Sequence, residues 1–308
     1  MIKYPLSRKG ALAVETIPAR HIVHRTRDTS WFGTDHTMNL YRGCPHGCIY
    51  CDSRSACYGN HNFDTVRVKE RALELVRNDL QRKIRPGIVG TGSMSDPYNP
   101  LEGQLCLTRN ALSLLDAYGF GVTIATKSDL IVRDIDILTL MREHVPVLCK
   151  LTITTCDDGL AAKIEPRAPS PSRRLEAVRQ LSAAGIPVCV LLMPVLPFLE
   201  DTTANVLEVA QRAAEAGARY LYPSLGMTQR DRQREWYYQE LEARFPGQGL
   251  ADRNRQTFGD RYWCASPQAR RLWDVLTARC RKLGLLYEMK QIVSSYQSGY
   301  GDRQLSFF

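Results

Sequence analysis

Three cysteines, Cys44, Cys48 and Cys51, carry the strongest chemical signal in the chain. Their segment reads Asn39-Leu-Tyr-Arg-Gly-Cys44-Pro-His-Gly-Cys48-Ile-Tyr-Cys51-Asp. Three thiolates at this C-x3-C-x2-C spacing can wrap one corner of a cubane cluster from a single loop. They leave one iron of a 4Fe–4S cluster without a protein ligand, free to chelate a small molecule. Gly43 and Gly47 let the backbone curl close to the sulfides and turn N–H groups toward them. Zinc is the competing metal. Structural zinc prefers four ligands, commonly in C-x2-C pairs, and no second pair is present. His46 is a conceivable fourth ligand, but it lies inside the loop between two of the cysteines.

The chain has ten cysteines in 308 residues. Cys149, Cys156 and Cys189 fall within apolar, strand-like runs and read as small buried hydrophobes in a reducing compartment. Disulfide frameworks belong mostly to short secreted chains. Cys57, six residues past the third ligand, is a weak candidate for a second redox role. Residues 1–10 are polar and lack the apolar stretch of a secretory signal. No run of eighteen apolar residues is present, so no membrane association is expected. A cytoplasmic protein is the expectation.

The elements that must position the cysteines alternate from residue 36 to 225. Strand patterns cover 37–41, 88–91, 121–126, 145–155, 188–195 and 219–222. Helical patterns cover 69–83, 108–117, 133–143, 172–184 and 203–216. In 145–155 the apolar residues Val145, Val147, Cys149, Leu151 and Ile153 recur with period two. The run 188–195 is continuously apolar, as in a parallel strand covered on both faces. Six β-α repeats predict an α/β fold with a parallel sheet or barrel. Periodicity alone does not choose between them, although no G-x-G-x-x-G follows the first strand. In such folds the active site lies at the C-terminal ends of the strands. Three regions are expected: an N-terminal extension at 1–35, a β-α body at 36–225, and an extension at 226–308 with helices at 229–245 and 266–283.

The cysteine motif following a first strand in a β-α chain resembles the radical S-adenosylmethionine (SAM) superfamily. That resemblance implies a partial (β/α)6 barrel of the TIM type, with a helical, basic C-terminal extension. It also implies a 4Fe–4S cluster at the barrel top and SAM as cofactor, its amino and carboxylate groups on the unique iron. One-electron reduction would cleave SAM to a 5′-deoxyadenosyl radical, which abstracts a hydrogen atom from substrate. A flavodoxin- or ferredoxin-type donor would supply the electron. The strand ends narrow the likeness further: Gly90-Thr-Gly-Ser-Met-Ser-Asp-Pro-Tyr-Asn-Pro-Leu-Glu102, Thr126-Lys127-Ser128, Thr152-Ile-Thr154-Thr155, Glu165-Pro-Arg167 and Met193-Pro-Val-Leu-Pro197. Together they are similar to the spore photoproduct lyase-like, or DNA repair photolyase-like, branch. One departure stands out. Spore photoproduct lyase carries a hydrogen-donating cysteine just after its second strand. Here that stretch is Ser93-Met94-Ser95, and the nearest cysteine is Cys106.

Candidate cofactor-binding residues follow from position and chemistry. A carboxylate needs a cation or hydroxyl donors, and Lys127, Ser93, Ser95 and Thr154 sit at strand ends facing the cluster. Arg167 is a candidate for an anionic group of SAM or substrate. Tyr50 stands where the superfamily usually places an aromatic residue near adenine. Asp96 reads equally as a ribose ligand and as a turn cap before Pro97.

Net charge is +9, and residues 226–308 hold 14 Lys and Arg against 9 Asp and Glu. A basic extension predicts a polyanionic partner, nucleic acid first; a solvated basic surface explains the same letters. The last residues, Gln304, Leu305, Ser306, Phe307 and Phe308, resemble the peptide by which bacterial repair proteins dock on the sliding clamp. The expected function is hydrogen abstraction from nucleic acid. A small-molecule or peptide substrate, or a non-enzymatic iron–sulfur module, remains an alternative.

Overall fold

The structure, a computed structural model, describes residues 14–59, 62–83 and 85–300. The clamp-like peptide at 304–308 lies outside them. Within the described residues six parallel strands form the frame: β1 (His36–Met38), β2 (Ile88–Thr91), β3 (Gly121–Thr126), β4 (Val147–Thr152), β5 (Val188–Leu192) and β6 (Tyr220–Pro223). They pair in chain order, each parallel to the next. Each crossover carries a helix: α1 (Ala72–Gln81), α2 (Leu107–Ala117), α3 (Ile135–Arg142), α4 (Pro171–Ala183) and α5 (Thr203–Glu215). The β-α rhythm is as expected, and the partial barrel is the one that the family resemblance implies.

Strand faces divide the core in two, because successive side chains point to opposite sides. Val122 and Ile124 of β3, with Val147, Cys149 and Leu151 of β4, join Leu112, Leu115, Val178, Leu181, Val206 and Val209 of the helices in the outer core. The opposite face of β4 and β5 carries Leu148, Cys189 and Leu191, which pack inside the barrel against Phe32, Ile292 and Tyr296. Phe32 precedes the first barrel strand, and Ile292 and Tyr296 come from a late helix. Both extensions therefore plug the barrel interior. The helix ends follow ordinary capping chemistry: the Ser170 hydroxyl accepts from the Arg173 amide, Pro171 opens α4, and the Thr202 hydroxyl accepts from the Asn205 amide.

The first strand differs from its expected span. It ends at Met38, and Tyr41–Arg42 leaves the barrel to pair antiparallel with Arg67–Lys69 in a separate three-stranded sheet. Leu40 and Tyr41 are both buried. Two consecutive apolar positions break the period-two pattern, so the chain changes sheet there.

After β6 come β7 (Gly226–Thr228) and β8 (Trp263–Ala265), an antiparallel pair, with α6 (Asp231–Arg244), α7 (Leu250–Phe258), α8 (Ala269–Leu283) and α9 (Met289–Gln297). Tyr237, Leu241, Phe245, Leu250 and Phe258 share a core with Ile49, Tyr50 and Ile164, so α6 and α7 cover the cysteine loop. Backbone at Leu286 pairs with β6, the Leu221 amide donating to its carbonyl. No helix of the described residues is long and apolar enough to cross a membrane.

Candidate active site

The cysteine loop leaves the three-stranded sheet at Arg42 and is tied down at both ends. The Cys44 amide donates to the Phe63 carbonyl (2.8 Å) and the Ile49 amide to the Ile164 carbonyl (3.0 Å). Gly43 has φ +84°, and a Cβ there would stand 2.2 Å from the Thr65 carbonyl oxygen. Gly47 has φ +71°, and a Cβ would stand 2.8 Å from the Arg167 guanidinium. Only glycine meets both demands of backbone angle and space.

Cys44, Cys48 and Cys51 rim one small cavity of about 140 Å³ with His46, Ser93, Ser95, Asp96 and Lys127. None of the three is in a disulfide. Among the described residues no three His, Cys, Asp or Glu close around a single ion. Three thiols rimming a cavity instead of converging on a point is the arrangement that suits a multi-iron cluster. Burial raises all three thiols, Cys48 to about 12. They carry protons in the metal-free fold, and iron must displace them. His46 is turned toward Asp96, its Nδ1 3.5 Å from the carboxylate.

This cavity adjoins a larger one of about 460 Å³, a size typical of ligand sites. The two share Cys51, Ser93, Ala125, Lys127 and Thr152 in their walls. The larger one adds Tyr50, Lys150, Met193 and Pro194, and aromatic Trp31 and Trp263 stand at its edge. Ser93, Ala125, Lys127, Thr152, Met193 and Pro194 lie at the C-terminal ends of β2 to β5 or just beyond, Tyr50 and Cys51 come from the cysteine loop, and Lys150 lies two strand residues deeper than Thr152.

Of the residues singled out from sequence, Ser93, Ser95, Lys127 and Tyr50 are thus brought together with the cysteines. Ser95 donates to the Tyr41 carbonyl (3.0 Å). Thr154 lies behind the cavity wall: its carbonyl accepts from Asn205 Nδ2 (2.9 Å), and its hydroxyl faces the buried Glu200. Burial pushes Glu200 up to about 8. Arg167 lies outside the small cavity. It braces the cysteine loop, its Nε donating to the Pro45 carbonyl and its guanidinium pairing with Asp64 at 2.5 Å. Asp96 works as a turn cap, accepting from the Tyr98 and Lys127 amides and from the Thr126 hydroxyl.

The charge network behind the cavity was not visible in the letters. Glu165 and Arg174 are each about 1% exposed in their side chains and form an ion pair at 2.5 Å. The Tyr50 hydroxyl donates to the same carboxylate, and Lys127 Nζ lies 3.9 Å from it. Lys127 also stands 5.5 Å over the Tyr50 ring, a cation–π distance. Burial opposes the ionised Glu165, but Arg174 and Lys127 outweigh it and hold its pKa below the ordinary value. Burial likewise opposes the Lys127 ammonium, and Cys48 and Glu165 hold its pKa up. The site presents three thiols, one held cation and one aromatic face toward a common space.

Comparison with known proteins agrees with this geometry. Residues 38–210 match the model of the Radical SAM superfamily. An uncharacterised protein of Mycobacterium tuberculosis is 34% identical over 190 residues, covering 59% of this chain and 56% of that protein. One from Methanocaldococcus jannaschii is 35% identical over 173 residues, covering 55% and 63%. The chain therefore spans less than two thirds of the length of these curated relatives. A point mutant of spore photoproduct lyase superposes with TM-score 0.66 at 16% identity, over 91% of this chain and 82% of that one. Another spore photoproduct lyase structure, with bound AdoMet and dinucleoside spore photoproduct, gives TM-score 0.62 over the same shares. At that identity the likeness concerns the fold.

Proposed function

Since the chain belongs to the radical SAM superfamily, we propose that it cleaves SAM reductively and abstracts a hydrogen atom from nucleic acid, DNA first. The family implies a 4Fe–4S cluster and SAM, and the three-thiol cavity adjoining a ligand-sized space fits both. Cys44, Cys48 and Cys51 would hold the cluster. When bound, cluster and SAM supply the one-electron chemistry and the abstracting radical. The chain's own residues do the rest. Lys127 and Ser93 would bind the carboxylate end of SAM, Tyr50 would flank its adenine, and α6 and α7 shield the loop from water.

The observation that carries the reading is the shared wall of the two cavities. A cofactor held at the cysteines reaches directly into the larger space, where a substrate group can be placed against it. The nucleic-acid preference draws on the rim. Trp31, Tyr262 and Trp263 are 39%, 51% and 47% exposed, and the Arg230 guanidinium stands 5.1 Å over the Tyr262 ring. Aromatics interleaved with cations stack bases and track phosphates. The fold's likeness to a lyase solved with a dinucleoside photoproduct supports the same class. Because Ser93-Met94-Ser95 replaces the hydrogen-donating cysteine, and Cys106 lies against Arg133 (3.6 Å) away from both cavities, the fate of the substrate radical differs from that in spore photoproduct lyase.

Binding to a single-stranded oligonucleotide should weaken at least tenfold between 50 and 200 mM salt if about three or more phosphates are contacted. Trp263→Ala should weaken it by a further five-fold or more, since one base stack is worth ~1–3 kcal/mol. Salt-independent affinity in a fluorescence-anisotropy titration would remove nucleic acid from the reading. For the cofactor, Lys127→Ala should weaken SAM binding tenfold or more without loss of iron, a charged contact being worth ~1.5–3 kcal/mol. Equilibrium dialysis showing unchanged affinity would take Lys127 out of the SAM site.

A further inference from the structure

Among the described residues, the barrel interior holds a buried cation without an ion-pair partner. Lys150 sits in the middle of β4, on the face that points into the barrel, and is 3% exposed. Its Nζ hydrogen-bonds the Thr123 hydroxyl at 3.1 Å and lies 4.5 Å over the Phe32 ring. It forms no ion pair among the described residues. The cations beside the site, Lys127 and Arg174, are both paired with Glu165. Lys150 also lines the 460 Å³ cavity. Thr152, two residues on along the same face, lines both cavities and marks the level of the cysteines. At ~3.3 Å per strand residue, Lys150 stands roughly 6–7 Å deeper.

We propose that Lys150 anchors the substrate, its ammonium receiving an anionic oxygen group, carboxylate or phosphate, that enters the barrel ahead of the reacting carbon. An ammonium removed from water without a counter-ion is costly, and a ligand that brings the opposite charge recovers that cost. Its neighbours, one hydroxyl and one ring, use only part of its capacity of three donors. The depth separates it from the cofactor end, where Lys127 already faces the cysteines. Burial lowers the Lys150 pKa to about 8, and an anion seated beside the ammonium favours its charged form. Its register partners on the flanking strands, Ala125 and Cys189, bring no carboxylate beside it.

The proposal rests on the larger cavity being the substrate site, and the test has one arm for the cavity and one for the lysine. Cluster-reconstituted protein with SAM is titrated with acetate, inorganic phosphate, thymidine 5′-phosphate and uncharged thymidine. The readout is tryptophan fluorescence, since Trp31 and Trp263 line the same cavity. Wild type should give a saturable response to at least one anion. Acetate alone would mark a carboxylate substrate, and phosphate or the nucleotide a phosphorylated one. Lys150→Met should weaken that response tenfold or more and melt no lower than wild type, because it removes an uncompensated charge. Lys150→Arg should keep most of the affinity. If Lys150→Met fails to fold, Lys150→Gln carries the same comparison. Equal affinity for thymidine and its 5′-phosphate keeps the cavity as the binding site but overturns the role of the lysine. Wild-type affinity in the methionine or glutamine variant does the same. Silence toward every probe overturns the proposal.

Discussion

Cys44→Ala, Cys48→Ala and Cys51→Ala should each lose the iron–sulfur chromophore and all SAM cleavage, while Cys57→Ala and Cys106→Ala should keep both. The reason is geometric. The first three thiols rim one cavity, and a cluster with a free iron has no spare protein ligand to replace any of them. Cys57 is exposed on a short turn outside that cavity. Cys106 packs beside Arg133 on the helical side of the barrel. Folding should survive in all five variants, since the loop is also held by the backbone bonds to Phe63 and Ile164. Iron and sulfide analysis after anaerobic reconstitution, with a 5′-deoxyadenosine assay, reads both outcomes. Full iron occupancy in Cys48→Ala would sink the ligand assignment.

The contrast between these cysteines shows what could be read from the letters. A local motif is legible because its geometry is fixed by a dozen consecutive residues. The strands β2, β3 and β6 were legible for a similar reason: each is a short apolar run bounded by turns. The first strand was misjudged at Tyr41 because the partner strand, Arg67–Lys69, is a polar stretch more than twenty residues on. Helix α7 was missed, because its sequence Leu-Ala-Asp-Arg-Asn-Arg-Gln-Thr-Phe is mostly polar. Its few apolar residues, Leu250, Ala251 and Phe258, find their partners in α6 and near the cysteine loop, and periodicity over nine residues is a weak signal.

The charged residues behind the site were illegible for a different reason. Tyr50 and Glu165 are separated by 115 positions, and only the fold joins them. Arg174 reads as one of two adjacent arginines on a surface helix, yet it points inward while the exposed Arg173 pairs with Asp129. Lys150 did leave a trace. A lysine inside a strand that is covered on both faces contradicts the burial pattern of its neighbours, and such contradictions mark functional positions more often than errors.

Glu165→Ala should be the most destabilising single change near the site. The carboxylate holds Arg174 at 2.5 Å and Lys127 at 3.9 Å, and it anchors the Tyr50 hydroxyl. Among the described residues the Arg174 side chain otherwise hydrogen-bonds the Thr152 and Pro169 carbonyls. Deleting the carboxylate leaves two cations facing each other in a dry interior, at ~3–5 kcal/mol. For a chain of this size that lowers the melting temperature by on the order of 5–10 °C. Glu165→Ala combined with Arg174→Met should cost less than the two changes summed, because the second removes the charge that the first orphans. The acid dependence has a definite sign. Since the folded pKa of Glu165 is depressed, its contribution is present above the ordinary glutamate value and fades as pH falls through the lower folded value. The stability gap between wild type and Glu165→Gln should therefore be widest at neutral pH, begin to narrow only below about pH 4, and close as pH falls through the depressed folded value. SAM affinity should fall as well, because Tyr50 and Lys127 lose the group that fixes both of them. Thermal melts of the five proteins at pH 7, with wild type and Glu165→Gln followed down through the acid range, test the network directly. Strict additivity of the single changes, or a gap that widens in acid, would show that Glu165 does not hold these cations.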